Sequence, residues 1–157
     1  MTLLTQGVSE TAFSYRNDTS VPPFPDDHPI IFFDGYCVLC SGFARFVLRH
    51  DRQGRFRLAA AQSPLGQAVF RHFGLDPVQF ESNLFLSEGR GWVKSRGTLH
   101  IFARLGFPWS LAAILQIIPR KVLDRLYDWI ARNRIGWFGA RSVCLLEDPG
   151  HRDRFLQ

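Results

Sequence analysis

Four apolar residues in a row, Ile30-Ile31-Phe32-Phe33, follow Pro29 and stop at Asp34-Gly35. A short β-branched and aromatic run bounded by turn residues predicts a strand buried on both faces. From residue 38 to 50 the period changes. Val38, Leu39, Phe43, Phe46 and Val47 recur at helical spacing, with Arg45, Arg49 and His50 between or after them, and Asp51-Arg52-Gln53-Gly54 closes the segment. Residues 56–60 form a second strand candidate. Ser63-Pro64 opens a second helix whose apolar face is Leu65, Val69, Phe70 and Phe73, and Gly74 ends it. Residues 83–87 and 91–94 flank Glu88-Gly89-Arg90 as a hairpin.

A helix is expected from Ser95 or Arg96 through Leu105, with Leu99, Phe102 and Ala103 inward. Residues 110–118 predict a short, nearly all-apolar helix. After Pro119, Val122, Leu123, Leu126, Tyr127 and Ile130 recur at helical spacing. The order is β-α-β-α-β-β-α followed by helices, an α/β fold. Residues 1–29 hold Asn17-Asp18-Thr19-Ser20 and Pro22, Pro23 and Pro25, and read as a flexible arm with little to bury. The domain is expected over 30–148, with a tail over 149–157.

The chain has 157 residues, a length that fits one domain able to fold without a disulfide or metal staple. Its net charge of +5 is uneven. Residues 1–29 carry −3 and the remainder +8, and all the basic residues are Arg except Lys94 and Lys121. Such a body suits an acidic partner, nucleic acid or an anionic membrane surface, or serves solubility alone. Arginines in one stripe favour binding; an even spread favours solubility. The first residues lack a charged region followed by an apolar core, so a cytoplasmic setting is expected, with cysteines resting as thiols. The longest uncharged apolar stretch, residues 105–119, is too short for a membrane span and contains Gly106, Pro108 and Pro119. A helix lying on a membrane, or under a partner, stays open.

Chemistry concentrates at Cys37-Val38-Leu39-Cys40, placed where the first strand turns into the first helix. A bare C-x-x-C is a weak signal, but at this position it reads as a thioredoxin-like redox motif. Unpaired N–H groups and the positive helix end favour an anion at Cys37, which lowers its pKa. Cys40, one turn on, can close an intramolecular disulfide. Cys37 is therefore the expected nucleophile and Cys40 the resolving thiol. Asp34 has two readings: a carboxylate that shapes the turn with Gly35 and Tyr36, or a base that takes the Cys40 proton. Phe32-Phe33-Asp34-Gly35 also resembles the start of a haloacid-dehalogenase phosphatase. That motif needs an acid where Tyr36 stands, so the chemistry is set aside.

The run FFDGYCVLC, with Asp34, Cys37 and Cys40, resembles the DCC family of thiol-disulfide oxidoreductases. Further matches are Phe56-Arg57-Leu58-Ala59-Ala60-Ala61-Gln62-Ser63, Tyr127-Asp128-Trp129-Ile130-Ala131-Arg132-Asn133-Arg134, Trp137-Phe138-Gly139 and the later Cys144. The resemblance spans about residues 30–148. It implies a thioredoxin-like fold and electron exchange with a protein disulfide or thiol, recycled by a reducing system; no cofactor and no metal are expected. Thioredoxins carry a cis-proline before the third strand; the corresponding stretch here is Glu81-Ser82-Asn83, and Pro77 lies further back.

Arg132, Asn133 and Arg134 are expected near the end of the last helix, as C-terminal caps or as an anion or partner contact. Trp129, Trp137 and Phe138 are expected to pack as core or lid, and Cys144 to be buried. His50, His72 and His100 read as structural or surface residues. Two other functions compete with the redox reading: a non-enzymatic basic interaction module, and metal binding through Cys37, Cys40 and Cys144.

Overall fold

Ile30–Phe33 forms β1 at the centre of a five-stranded sheet, and all four of its side chains are buried. The structure, a computed structural model, describes residues 12–80, 82–140 and 152–156. After β1 come α1 (Val38–His50), β2 (Arg57–Ala60), α2 (Pro64–His72), β3 (Leu84–Ser87), β4 (Arg90–Val93) and α3 (Lys94–Leu105). A 3-10 segment (Trp109–Ile117), α4 (Arg120–Phe138) and the short strand β5 (Phe155–Leu156) complete the order. The sheet runs β4-β3-β1-β2-β5. β1 is parallel to β2 and antiparallel to β3, which pairs antiparallel with β4. This is the thioredoxin-like α/β arrangement that the order of elements predicts.

Side chains alternate across the sheet and build two cores. Ile30, Phe32, Leu84 and Leu86 meet Leu65, Val69 and Phe70 of α2 on one face. Ile31, Phe33, Leu58 and Phe85 meet Ala44, Val47 and Leu48 of α1 and Ile101 of α3 on the other. The four consecutive apolar residues of β1 thus serve both layers. α2 begins as its sequence predicts: Pro64 follows Ser63, whose hydroxyl accepts the Gly66 amide at 3.0 Å. A Cβ on Gly66 would stand 2.4 Å from the Ala60 carbonyl oxygen, so only glycine lets α2 pack this closely on the end of β2.

Several boundaries and faces differ from expectation. The β3–β4 turn holds Glu88 and Gly89, both at positive φ, a two-residue loop that suits the twist of a hairpin. α3 buries Leu99 and Ile101, while Phe102 and Ala103 are only half-buried. The apolar segment after α3 is 3-10 rather than α, and it buries none of its residues fully. It packs one side on α3, and its other side is left uncovered by the described residues.

The two ends also do more than their composition indicates. Within the arm, Tyr15 and Val21 are buried in the α2-side core. The Tyr15 hydroxyl donates to Asp26 at 2.8 Å, and His72 bridges Ser14 at 2.8 Å and Asp18 at 2.6 Å. Tyr15 and Val21, with Phe13 and Phe24 packed against the same core, anchor a segment otherwise dominated by polar residues and proline. In the expected tail, Phe155 and Leu156 pair parallel with β2, and buried Arg154 forms an ion pair with Asp51 and donates to the Phe56 carbonyl.

Tyr15→Ala should destabilise the protein by about 3 kcal/mol in urea unfolding, the usual cost of truncating a buried aromatic. A cost under about 0.5 kcal/mol would show that residues 12–29 are not part of the core.

Candidate active site

The turn from β1 into α1 is built by Asp34. Its carbonyl accepts the Cys37 amide at 3.3 Å, and its Oδ1 accepts the Tyr36 amide at 3.0 Å. Cys37 occupies the N-cap of α1, where its Sγ accepts the Cys40 amide at 3.3 Å. A sulfur thus fills the place usually taken by a capping oxygen, facing the unpaired N–H groups of the helix start. Both cysteines are thiols. Cys37 is 0% exposed and Cys40 6% exposed, while Tyr36 beside them faces solvent.

Two distant side chains complete the arrangement. Gln62, just after β2, donates from Nε2 to Asp34 Oδ1 at 2.6 Å and accepts the Gly35 amide on Oε1 at 3.0 Å. Arg134, on α4 and only 7% exposed, reaches in from the other side. Its Nη1 donates to Cys40 Sγ at 3.3 Å and its Nη2 to Asp34 Oδ2 at 3.3 Å. Nη2 also donates to the carbonyls of Phe80 at 2.8 Å and Gln79 at 3.3 Å. α4 contributes Tyr127 as well, whose hydroxyl accepts the Asn83 amide at 3.1 Å. The stretch before β3, where thioredoxins carry their cis-proline, is thus held by Arg134 and Tyr127.

The three polar residues expected at the end of the last helix part company. α4 continues to Phe138, so none of them caps it. Arg132 and Asn133 donate to the carbonyls of Asp128 and Trp129 one turn back, and only Arg134 turns inward. Trp129, Trp137 and Phe138 are exposed and form neither core nor lid. The inward face of α4 is instead Leu123, Tyr127, Ile130 and Arg134, spaced i, i+4, i+7 and i+11. That spacing was the signal for Arg134 in the sequence. Gln62 was marked only by the family-like run around it. Cys144 lies outside the described residues.

The two thiols titrate in opposite directions. Cys37 is pulled down to about 6. The largest cause is the hydrogen bond from the Cys40 thiol, helped by the Cys40 amide and the Arg134 charge, and opposed by burial and Asp34. Cys40 is pushed far up, first by holding its proton toward Cys37, then by burial and by the Cys37 charge. The Tyr127 hydroxyl is pushed up to about 12, chiefly by loss of water around it. Both shifts favour a thiolate on Cys37 and the shared proton on Cys40.

Access to the two sulfurs differs. Cys40 lines an apolar hollow of about 270 Å³ with Leu39, Phe43, Tyr127 and Ile130. Cys37 lies under the chain leaving α4: Gly139 accepts the Val38 amide at 3.3 Å, and Ala140 forms an isolated antiparallel bridge with Cys37.

A dithiol at the strand-to-helix turn of a thioredoxin-like sheet defines a class of redox domain. Within that class, residues 31–140 match the model of the DCC1-like thiol-disulfide oxidoreductase family, and the chain belongs to that family. It is 35% identical over 127 residues to the Bacillus subtilis (strain 168) protein named "Uncharacterized protein YuxK", covering 81% of this chain and 93% of that one. It is 37% identical over 122 residues to "DCC family protein At1g52590, chloroplastic" of Arabidopsis thaliana, covering 77% of this chain and 71% of that one. No solved structure matches it. Among the described residues, no helix is long and apolar enough to cross a membrane.

Two outcomes follow for the site. Arg134→Met should move the alkylation midpoint of Cys37 upward from about 6, with Arg134→Lys in between, when iodoacetamide labelling of Cys37 is followed by mass spectrometry across pH. The second outcome concerns stability. A depressed folded pKa means that the unfolded chain binds more protons between about pH 6 and the ordinary thiol value of 9.0. Reduced protein should therefore gain stability as pH rises through that window and lose it as pH falls through 6. The Cys37–Cys40 disulfide form, measured by the same urea unfolding series, should lack this component.

Proposed function

We propose that the protein exchanges electrons with a protein disulfide through Cys37 and Cys40. The observation that carries this reading is the Cys37 thiolate at the N-cap of α1, with a protonated Cys40 and the Arg134 guanidinium beside it. Cys37 attacks one sulfur of the partner disulfide. The partner's S–S bond breaks, its other sulfur leaves as a thiolate, and a mixed disulfide forms. Cys40 then loses its proton and attacks Cys37 Sγ, which releases the partner's second thiol. The net change is two electrons and the Cys40 proton passed to the partner, whose second thiolate takes its proton from water, leaving a Cys37–Cys40 disulfide. The same steps run in reverse oxidise a partner dithiol, and a separate reducing system returns the pair to thiols.

The electrostatics support this order. In the reduced pair, Cys40 keeps its proton because it donates to Cys37 and sits beside its negative charge. Once Cys37 is tied up in the mixed disulfide, both causes disappear, while Arg134 stays 3.3 Å from Cys40. The Cys40 pKa falls at the step that needs its thiolate, with burial and Asp34 still opposing the charge and Arg134 favouring it. Asp34 acts as a positioning residue: its two oxygens accept Tyr36, Gln62 and Arg134, which ties the turn and the guanidinium together. Gly35 and Tyr36 supply the turn, and the hollow beside Cys40 receives an apolar side chain of the partner. Gly139 and Ala140 must move aside to expose Cys37 to the partner. In a reducing compartment such as the cytoplasm, the pair rests as the thiols described above.

Insulin reduction and trapping test the proposal together. Wild-type protein should reduce insulin disulfides with dithiothreitol as electron source, and Cys37→Ser should abolish the rate. Cys40→Ser should accumulate a mixed disulfide with partner proteins, seen as a band that disappears on reduction. Activity that survives Cys37→Ser, or a Cys40→Ser variant that forms no mixed disulfide, would overturn the assignment.

A further inference from the structure

The outward surface of the C-terminal helical region is apolar, and none of the described residues covers it. Phe107 and Ile117 are each 83% exposed, and Leu111 and Ile114 are exposed between them. α4 carries a second exposed apolar set. Val122, Leu126 and Trp129 stand at i, i+4 and i+7 and are all exposed. Trp137, also exposed, meets Trp129 edge-on with ring centroids 4.9 Å apart. Isolated apolar residues on a surface are ordinary, but two consecutive elements that each expose several large apolar side chains mark an interaction face.

The charges of α4 are sorted around this stripe. Lys121, Arg125 and Arg132 stand at i, i+4 and i+11, an exposed basic stripe next to the apolar one. The acidic residues of α4 are turned toward the body of the protein. Asp124 accepts from Ser95 and pairs with Arg120, and Asp128 pairs with Lys94 at 3.0 Å. The helix therefore presents apolar and cationic groups outward while its carboxylates are engaged.

We propose that this face docks on an anionic lipid bilayer, with the 3-10 segment and α4 lying in the plane of the interface. An apolar stripe beside a basic stripe is the pattern that combines acyl-chain burial with headgroup attraction. Exposed indoles suit the boundary between headgroups and acyl chains. A second copy of the chain fits less well, because a two-fold contact through α4 brings like-charged stripes together. The uncharged stretch of residues 105–119 is too short to span a bilayer, so the contact is peripheral. Arg134 leaves the inward side of the same helix toward Cys40, so docking holds the dithiol about one helix diameter, roughly 10 Å, from the membrane surface. On the redox role proposed above, the partners reached first are proteins with disulfides close to the bilayer; the docking itself does not depend on that role.

Co-sedimentation with phosphatidylcholine vesicles, with and without phosphatidylglycerol, tests the proposal on the full chain. Binding should require phosphatidylglycerol, weaken steeply as salt is raised, and shift tryptophan emission to the blue. Ile114→Ser/Ile117→Ser should weaken binding about tenfold or more, and Lys121→Glu/Arg125→Glu should weaken it by a similar factor. Both variants change exposed residues, so unaltered circular dichroism and insulin reduction show that the fold is retained. Equal affinity for both kinds of vesicle, no binding at low salt, or a dimer dispersed by Ile114→Ser/Ile117→Ser would overturn it.

Discussion

A guanidinium taken out of water must find acceptors for its donors, and Arg134 finds four: Cys40 Sγ, Asp34 Oδ2 and the carbonyls of Gln79 and Phe80. Those acceptors belong to the β1–α1 turn, the first turn of α1 and the loop before β3. One side chain from the last long helix therefore ties together the segments that surround the dithiol. Removing a partner from such a cluster leaves a buried charge uncompensated, so Asp34 and Arg134 depend on each other. The carboxylate that opposes a thiolate at Cys37 is the same group that holds the cation favouring it.

That balance bears on the reactivity of the pair. A thiolate at a helix N-cap gains from the helix end and from the nearby amide, and it loses from burial. Here Cys37 gains more than it loses, because the Cys40 thiol donates to it directly. The negative charge is shared across two sulfurs and a proton, so the pair titrates as a unit rather than as two independent thiols.

The same helix has two unlike faces. Inward, Leu123, Tyr127, Ile130 and Arg134 complete the site. Outward, its apolar and basic stripes face solvent. Amphipathicity in α4 thus does not separate core from water in the ordinary way. Its inward face is partly polar because it must satisfy the dithiol and the loop before β3. Its outward face is partly apolar without any covering element among the described residues.

Much of the frame was legible from residue pattern alone. The apolar run of β1, the helical period of α1, Ser63-Pro64 at the start of α2 and the placement of Cys37 and Cys40 all follow from local rules of periodicity, capping and turn chemistry. These properties are set within about ten residues of chain, and the sequence states them directly. Arg134 and Asp34 are 100 residues apart, and Gln62 is 28 from its carboxylate partner. No local rule joins such pairs, because their meeting depends on how the sheet is ordered and how α4 crosses it. The buried Tyr15, the strand partner of β2 at the C-terminal end and the exposed Trp129 and Trp137 have the same origin. Hydrophobicity states that a side chain gains by leaving water, but only tertiary packing decides which of them find a neighbour.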